Sequence, residues 1–166
     1  MRRPICWLCR ALTKRQGRWG FSLRMRFVGR GKAMDIMAGS KDARLRRKIG
    51  YVLNRLASRT VTTGKSSAVL VGVLDRDFDL VVLDTDLEGM NGQETFRILR
   101  RIRPKLPVIF LHRNGEDLSD VLQRGDTRTA VMARSADRIV LYRAVEEMVS
   151  TFGDRGHLSA KCKSRS

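Results

Sequence analysis

The sequence predicts an α/β domain, a doubly wound five-stranded parallel sheet with helices on both faces. Short apolar runs alternate with segments of helical period from Met34 to Phe152. The central run, "LVVLD", is apolar until its last residue, as expected of a strand covered on both sides. Strict alternation of this kind implies right-handed crossovers around a parallel sheet. A chain of 166 residues with 42% hydrophobic content is long enough for one domain with a real core.

The elements follow in order. "MDIMA" is the first strand. Leu45, Ile49, Val52, Leu53 and Leu56 recur at helical spacing and form one apolar stripe. "RTVTT" is a short β-branched strand, and Ser66 to Leu74 reads as a helix with Asp75 to Asp79 as its exit. "LVVLD" is the third strand. Phe96, Leu99 and Ile102 stripe the next helix, which Pro104 ends. "PVIFLH" is the fourth strand. Asp117 to Arg124 is expected to be helical, with Gly125 as its C-cap. "TAVMA" is a weaker fifth strand. Ile139, Tyr142, Val145, Val149 and Phe152 stripe the last helix.

Charge divides the chain into three parts. Residues 1–33 hold ten Lys or Arg and no acid, and residues 154–166 hold four bases and one acid. Of the 34 bases and 17 acids in the chain, 20 and 16 remain for residues 34–153, so the formal net charge of +17 sits mainly in the arms. Such arms suit the phosphate backbone of a nucleic acid, a second partner class beside proteins. "GRGKAM" also reads as a translated purine-rich run before an ATG, so Met34 is an alternative start and residues 1–33 a start-site artefact or a disordered arm. No apolar stretch approaches the roughly 18 residues of a membrane span. The basic start lacks the long apolar core of a secretory signal. Three cysteines, an odd number, fit a reducing, cytoplasmic setting.

Asp84 is the residue to explain. In open parallel sheets, ligands bind beyond the carboxyl ends of the strands, and Asp84 ends the most apolar one. The bland alternative is a helix cap or a loop-stabilising carboxylate. Other signals are weaker. "GKS" at Gly64 to Ser66 lacks the earlier glycine of a phosphate loop, since Arg59 stands there. Cys6 and Cys9 form a single CxxC, short of a zinc ligand set even with Cys162, His112 and His157. Arg97, Arg100, Arg101, Arg103 and Lys105 read as a solvated basic face. No Ser–His–Asp or paired-carboxylate constellation is present, so an enzyme is not expected.

The stretch "FDLVVLDTDLEGMNGQE" resembles the third strand and following loop of bacterial response-regulator receiver domains, with Glu88 in place of the usual Pro. "RPKLPVIFL" is similar to their approach to the fourth strand. The resemblance covers Met34 to Gly153. It implies strand order 2-1-3-4-5, a role in two-component phosphorelay signalling, and Asp84 as phosphoacceptor. It also implies a histidine kinase or phosphotransfer protein upstream and a protein partner downstream. The other family hallmarks depart. Gly39 and Ser40, or Ser40 and Lys41, stand where the family has its acidic pair, and Asp42 lies too far along. His112 replaces a Thr or Ser, Met132 and Ala133 replace the Lys–Pro pair, and Thr129 replaces the switch aromatic.

The pocket expected from the resemblance therefore comprises Gly39, Ser40, Asp86, His112 and Met132 around Asp84. Asp84 and a carbonyl near Asp86 would leave only a weak Mg²⁺ site. With the Lys missing, His112 is expected beside Asp84 as the compensating cation. Two functional readings stay open: a phosphorylated receiver, and a phosphorylation-independent pseudo-receiver. A nucleic-acid-associated protein using its basic arms is the reading from another class.

Overall fold

The computed structural model describes residues 34–57, 59–119, 121 and 126–152. The two arms, with Cys6, Cys9, His157 and Cys162, lie outside them. Five strands are formed: β1 (Asp35–Gly39), β2 (Arg59–Thr63), β3 (Leu80–Asp84), β4 (Val108–His112) and β5 (Thr129–Ala133). Four helices join them among the described residues: α1 (Ala43–Leu53), α2 (Ser66–Asp75), α3 (Gly92–Ile102) and α4 (Arg138–Phe152). The sheet is parallel, in the order β2-β1-β3-β4-β5.

Residue alternation along each strand assigns the faces. Ile36 and Ala38, Leu80 and Val82, Ile109 and Leu111, and Ala130 pack with α1 and α4 through Leu45, Ile49, Leu141 and Val145. Met37, Val81 and Leu83, and Val108 and Phe110 face the other way and pack with α2 and α3 through Val69, Val73, Phe96 and Leu99. All five residues of β3 are buried. That explains its unbroken apolar run, because both of its faces meet helices.

Caps set the helix starts. The Asp42 side chain accepts from the Arg44 and Leu45 amides at the head of α1. Asn91 does the same for Glu94 at the head of α3. Glu94 in the first turn of α3 and Arg100 and Arg101 in the last complement the helix dipole. Phe96 meets Phe110 edge-on, with centroids 5.9 Å apart, and ties α3 to β4.

One expected helix is corrected. Across Asp117–Arg124 the described residues, Asp117 to Ser119 and Val121, are not helical. The Asp117 side chain accepts from the Ser119 amide, and the Asp117 carbonyl accepts from Gln93 Nε2. Both groups are thus spent on a turn and on α3. An eight-residue helix has little stability of its own; Val121 is buried in the α2–α3 core, while Asp120, Leu122 to Arg124 and the expected C-cap Gly125 lie outside the described residues.

Gly92 sets how closely α3 approaches the end of β3. A Cβ there would lie 2.1 Å from the Asp84 carbonyl oxygen and 2.6 Å from Thr85 Cα. Both are backbone atoms that cannot rotate away. Gly92→Ala is expected to lower stability by about 1–3 kcal/mol. Urea unfolding with an unchanged slope and a lower midpoint would report it.

Candidate functional site

The same alternation builds the site. Ile36 and Ala38 lead to Ser40, Leu80 and Val82 lead to Asp84, and Ala130 and Met132 lead to Arg134. All three polar side chains emerge on the α1–α4 side, at the carboxyl ends of β1, β3 and β5. Ser40 Oγ donates to Asp84 Oδ2 at 2.6 Å. Arg134 Nε lies 3.1 Å from Asp84 Oδ1. This is a charge contact; Oδ1 has no hydrogen-bond partner. Asp84 is 0% exposed, and the Arg134 side chain 15%.

Arg134 reaches further. Its guanidinium lies 3.6 Å from Asp42 and 3.5 Å from Asp86, so one cation faces three carboxylates from two loops and the end of β3. Arg113 forms an ion pair with Asp86 from the other side. The loop that carries Ser40 is held in place by Arg46 Nη1, which donates to the carbonyls of Ser40 and Lys41 at 2.6 and 2.7 Å. The Lys41 amide in turn donates to the Asp86 carbonyl at 2.7 Å. Lys41, Asp42, Leu45, Asp86, Arg113, Arg134 and Ser135 line a cleft of about 540 Å³ over the site.

Burial pushes the Asp84 carboxyl above the ordinary carboxylate value, and the neighbouring Asp86 charge adds to the rise. The Ser40 hydroxyl, the Arg134 guanidinium and the Asp86 backbone amide pull it down without cancelling the effect of burial. Asp42 is held below the usual range, first by the Arg44 and Leu45 amides it caps and then by Arg134.

Of the expected pocket residues, Ser40 touches Asp84, and Asp86 lines the cleft. Gly39 belongs to the opposite face, where a Cβ would meet Val69 at 2.8 Å; it is a packing position. Met132 packs against the α1–α4 core. His112 does not compensate Asp84. Leu111 is the register partner of Asp84, so the next residue turns to the α2–α3 side, and His112 Nδ1 lies 2.7 Å from the Arg113 carbonyl oxygen. The compensating cation is Arg134, two residues beyond Met132. The sequence signal for it was strand alternation, which puts Arg134 on the face of Asp84 and His112 on the other.

The donors do not fit Mg²⁺, which takes about six oxygens in near-octahedral array. Asp84 faces a hydroxyl donor and a guanidinium, and Asp86 is shared between two arginines. Among the described residues no group of three His, Cys, Asp or Glu side chains is placed to hold a metal.

Residues 41–135 match the model of the response regulator receiver domain. The transcriptional regulatory protein GlrR of Escherichia coli (strain K12) is 28% identical over 89 residues. That match covers 53% of this chain and only 20% of the relative. The fold resembles the receiver domain of NtrX from Brucella abortus, with TM-score 0.62 and 22% identity, over 70% of this chain and 99% of that one. It also resembles the signal receiver domain of an HD domain-containing protein from Pseudomonas fluorescens Pf-5. There the TM-score is 0.66 at 14% identity, over 74% and 98% of the two chains.

The raised Asp84 carboxyl has a stability consequence of definite sign. It binds its proton more tightly folded than unfolded. It therefore favours folding at low pH and loses that contribution as pH rises through its raised value. Asp84→Asn removes the titration. In thermal melts from about pH 4 to pH 7, the wild type should fall progressively below the Asn variant. A gap that stays constant would mean that burial does not perturb Asp84.

Proposed function

The chain belongs to the response regulator receiver domain family, the receiving module of two-component signalling, and from that premise we propose that it acts as a binding module with a self-occupied acceptor pocket. Receiver domains use a carboxylate at the end of the third strand and typically hold Mg²⁺ in an acidic pocket beside it. Here Arg134 stands against that carboxylate as a built-in cation. The module signals through contacts with proteins and catalyses no reaction of its own. Its partners are a histidine kinase or phosphotransfer protein, bound without phosphoryl transfer to Asp84, and a downstream protein. Its proposed place is the cytoplasm, where two-component receiver modules meet their kinases.

The observation that carries this reading is the buried Ser40–Asp84–Arg134 cluster. Phosphoryl transfer to a carboxylate needs an oxygen open to in-line attack and cations on the phosphoryl oxygens. Asp84 offers no exposed surface, and Arg134 is already committed to three carboxylates. A second reading rests on Asp84 Oδ1, which lacks a hydrogen bond. If Arg134 swings into the cleft, that oxygen becomes the nucleophile of a phosphoacceptor.

Beryllofluoride with Mg²⁺, followed by fluorine NMR, separates the two. The wild type is expected to give no bound signal, and acetyl phosphate is expected to give no shifted band on a phosphate-affinity gel. A bound signal or a shifted band that vanishes in Asp84→Asn would establish Asp84 as an acceptor and overturn the self-occupied reading. Arg134→Ala, with its cation removed, measures how much of the inertness is due to the guanidinium alone.

A further inference from the structure

The exposed side of α1 carries a basic stripe that the pocket does not use. At 100° per residue, Arg44, Arg47, Lys48 and Tyr51 fall within one arc of the helix, away from the buried Leu45, Ile49, Val52 and Leu53, and Arg55 follows in the turn just past its end. No acid occurs in α1. Arg55 and Arg138, the latter from the start of α4, both lie over the exposed Tyr51 ring, at 5.9 and 5.1 Å from its centroid. The ring thus holds two guanidinium groups in place beside the helix.

These cations are not neutralised within the fold. Arg47 bonds the Ala43 carbonyl and Lys48 the Ala136 carbonyl. Among the described residues, none of the stripe's cations is in an ion pair. Asp42, which feels the Arg44 charge, caps α1 and faces Arg134, and Asp137 accepts from the Arg138 amide without pairing with its guanidinium. The basic helix α3 differs. Its Arg100 is paired with Asp126 at 3.3 Å, and Arg103 at its end with Asp77 at 3.1 Å.

We infer that the α1 stripe, extended by Arg138, binds the phosphodiester backbone of duplex DNA without sequence specificity. Arg44 to Tyr51 span about 10 Å of α1 at 1.5 Å per residue, and Arg55, in the turn beyond Leu53, prolongs the row. Duplex DNA presents about one negative charge per 1.7 Å of axis, so a rigid, one-signed row of this length matches a run of phosphates. Arg and Tyr also occur at protein–protein interfaces, but cations buried there need matching acids; here Tyr51, Ile139 and Val140 are the large apolar side chains exposed beside a row of five cations. Among the described residues, no ion pair or hydrogen bond joins the stripe's cations to Asp84.

Fluorescence anisotropy of a labelled 20-base-pair duplex of arbitrary sequence, titrated with the full chain from about 50 to 200 mM salt, tests the inference. Arg44→Gln/Arg47→Gln/Arg55→Gln should bind about 10- to 100-fold more weakly near physiological salt. Its log–log salt slope should fall by about 2 to 3, since each lost phosphate contact removes close to 0.9. The control removes three exposed charges elsewhere, as Arg76→Gln/Arg101→Gln/Lys105→Gln, and should change little. Far-UV circular dichroism checks that both variants are folded. Equal losses in the two variants, an unchanged slope in the α1 variant, or no binding by the wild type would each overturn the inference.

Discussion

A carboxylate buried at the end of the central strand is the constraint around which this domain is organised. Asp84 sits on a strand enclosed on both faces, where an ionised group is costly unless matched by a counter-charge and hydrogen bonds. Ser40 supplies the hydrogen bond from one neighbouring strand end. Arg134 supplies the charge from beyond β5, with β4 lying between. A guanidinium suits this reach, because its planar fork offers several donors at once and stays charged when partly buried. Arg134 faces three carboxylates at distances between 3.1 and 3.6 Å, and so links the β1–α1 loop, β3 and the β3–α3 loop to β5. Without it, three acids would face one another across the cleft. That the Asp84 carboxyl nevertheless stays above its ordinary value shows that burial outweighs the compensation.

The fold was readable from the sequence because its strands are short and its stripes clean. "LVVLD" and "TAVMA" coincide with β3 and β5, and Ser66, Pro104 and Ile139 fall at or within one or two residues of helix boundaries. The segment from Asp117 misled because Leu118 and Val121 are spaced like a helical pair. What fixed its conformation was tertiary: Gln93 of α3 takes the Asp117 carbonyl. A one-dimensional period carries no trace of such a bond.

The site was legible in part. Asp84 is marked by the sharp change from apolar strand to acidic loop, and Ser40 and Asp86 by the positions that the receiver-domain resemblance assigns them. His112 and Gly39 are pocket positions by the resemblance alone. The period-2 rule sends them to the far face, because one residue of register reverses a side chain. Arg134 lay past the position where resemblance directed attention, in a turn whose backbone amide donates to the His112 carbonyl. A cation displaced by two residues keeps its parity, and therefore its face.

The chain's positive charge has more than one physical character. Arg134, Arg100 and Arg103 are structural, each held against acids that balance it. Among the described residues the cations of α1 and its C-terminal turn have no comparable ion pair, and α1 is capped by Asp42, which is also a partner of Arg134. The pocket and the basic face therefore share a residue. Energetic coupling between them would require that this junction have two arrangements, not merely that it be contiguous. The cap bonds of Asp42 to the Arg44 and Leu45 amides do not depend on Arg134. Loss of the guanidinium contact would leave α1 with its start intact. The junction thus behaves as an anchor, and the basic face is a standing property of the fold.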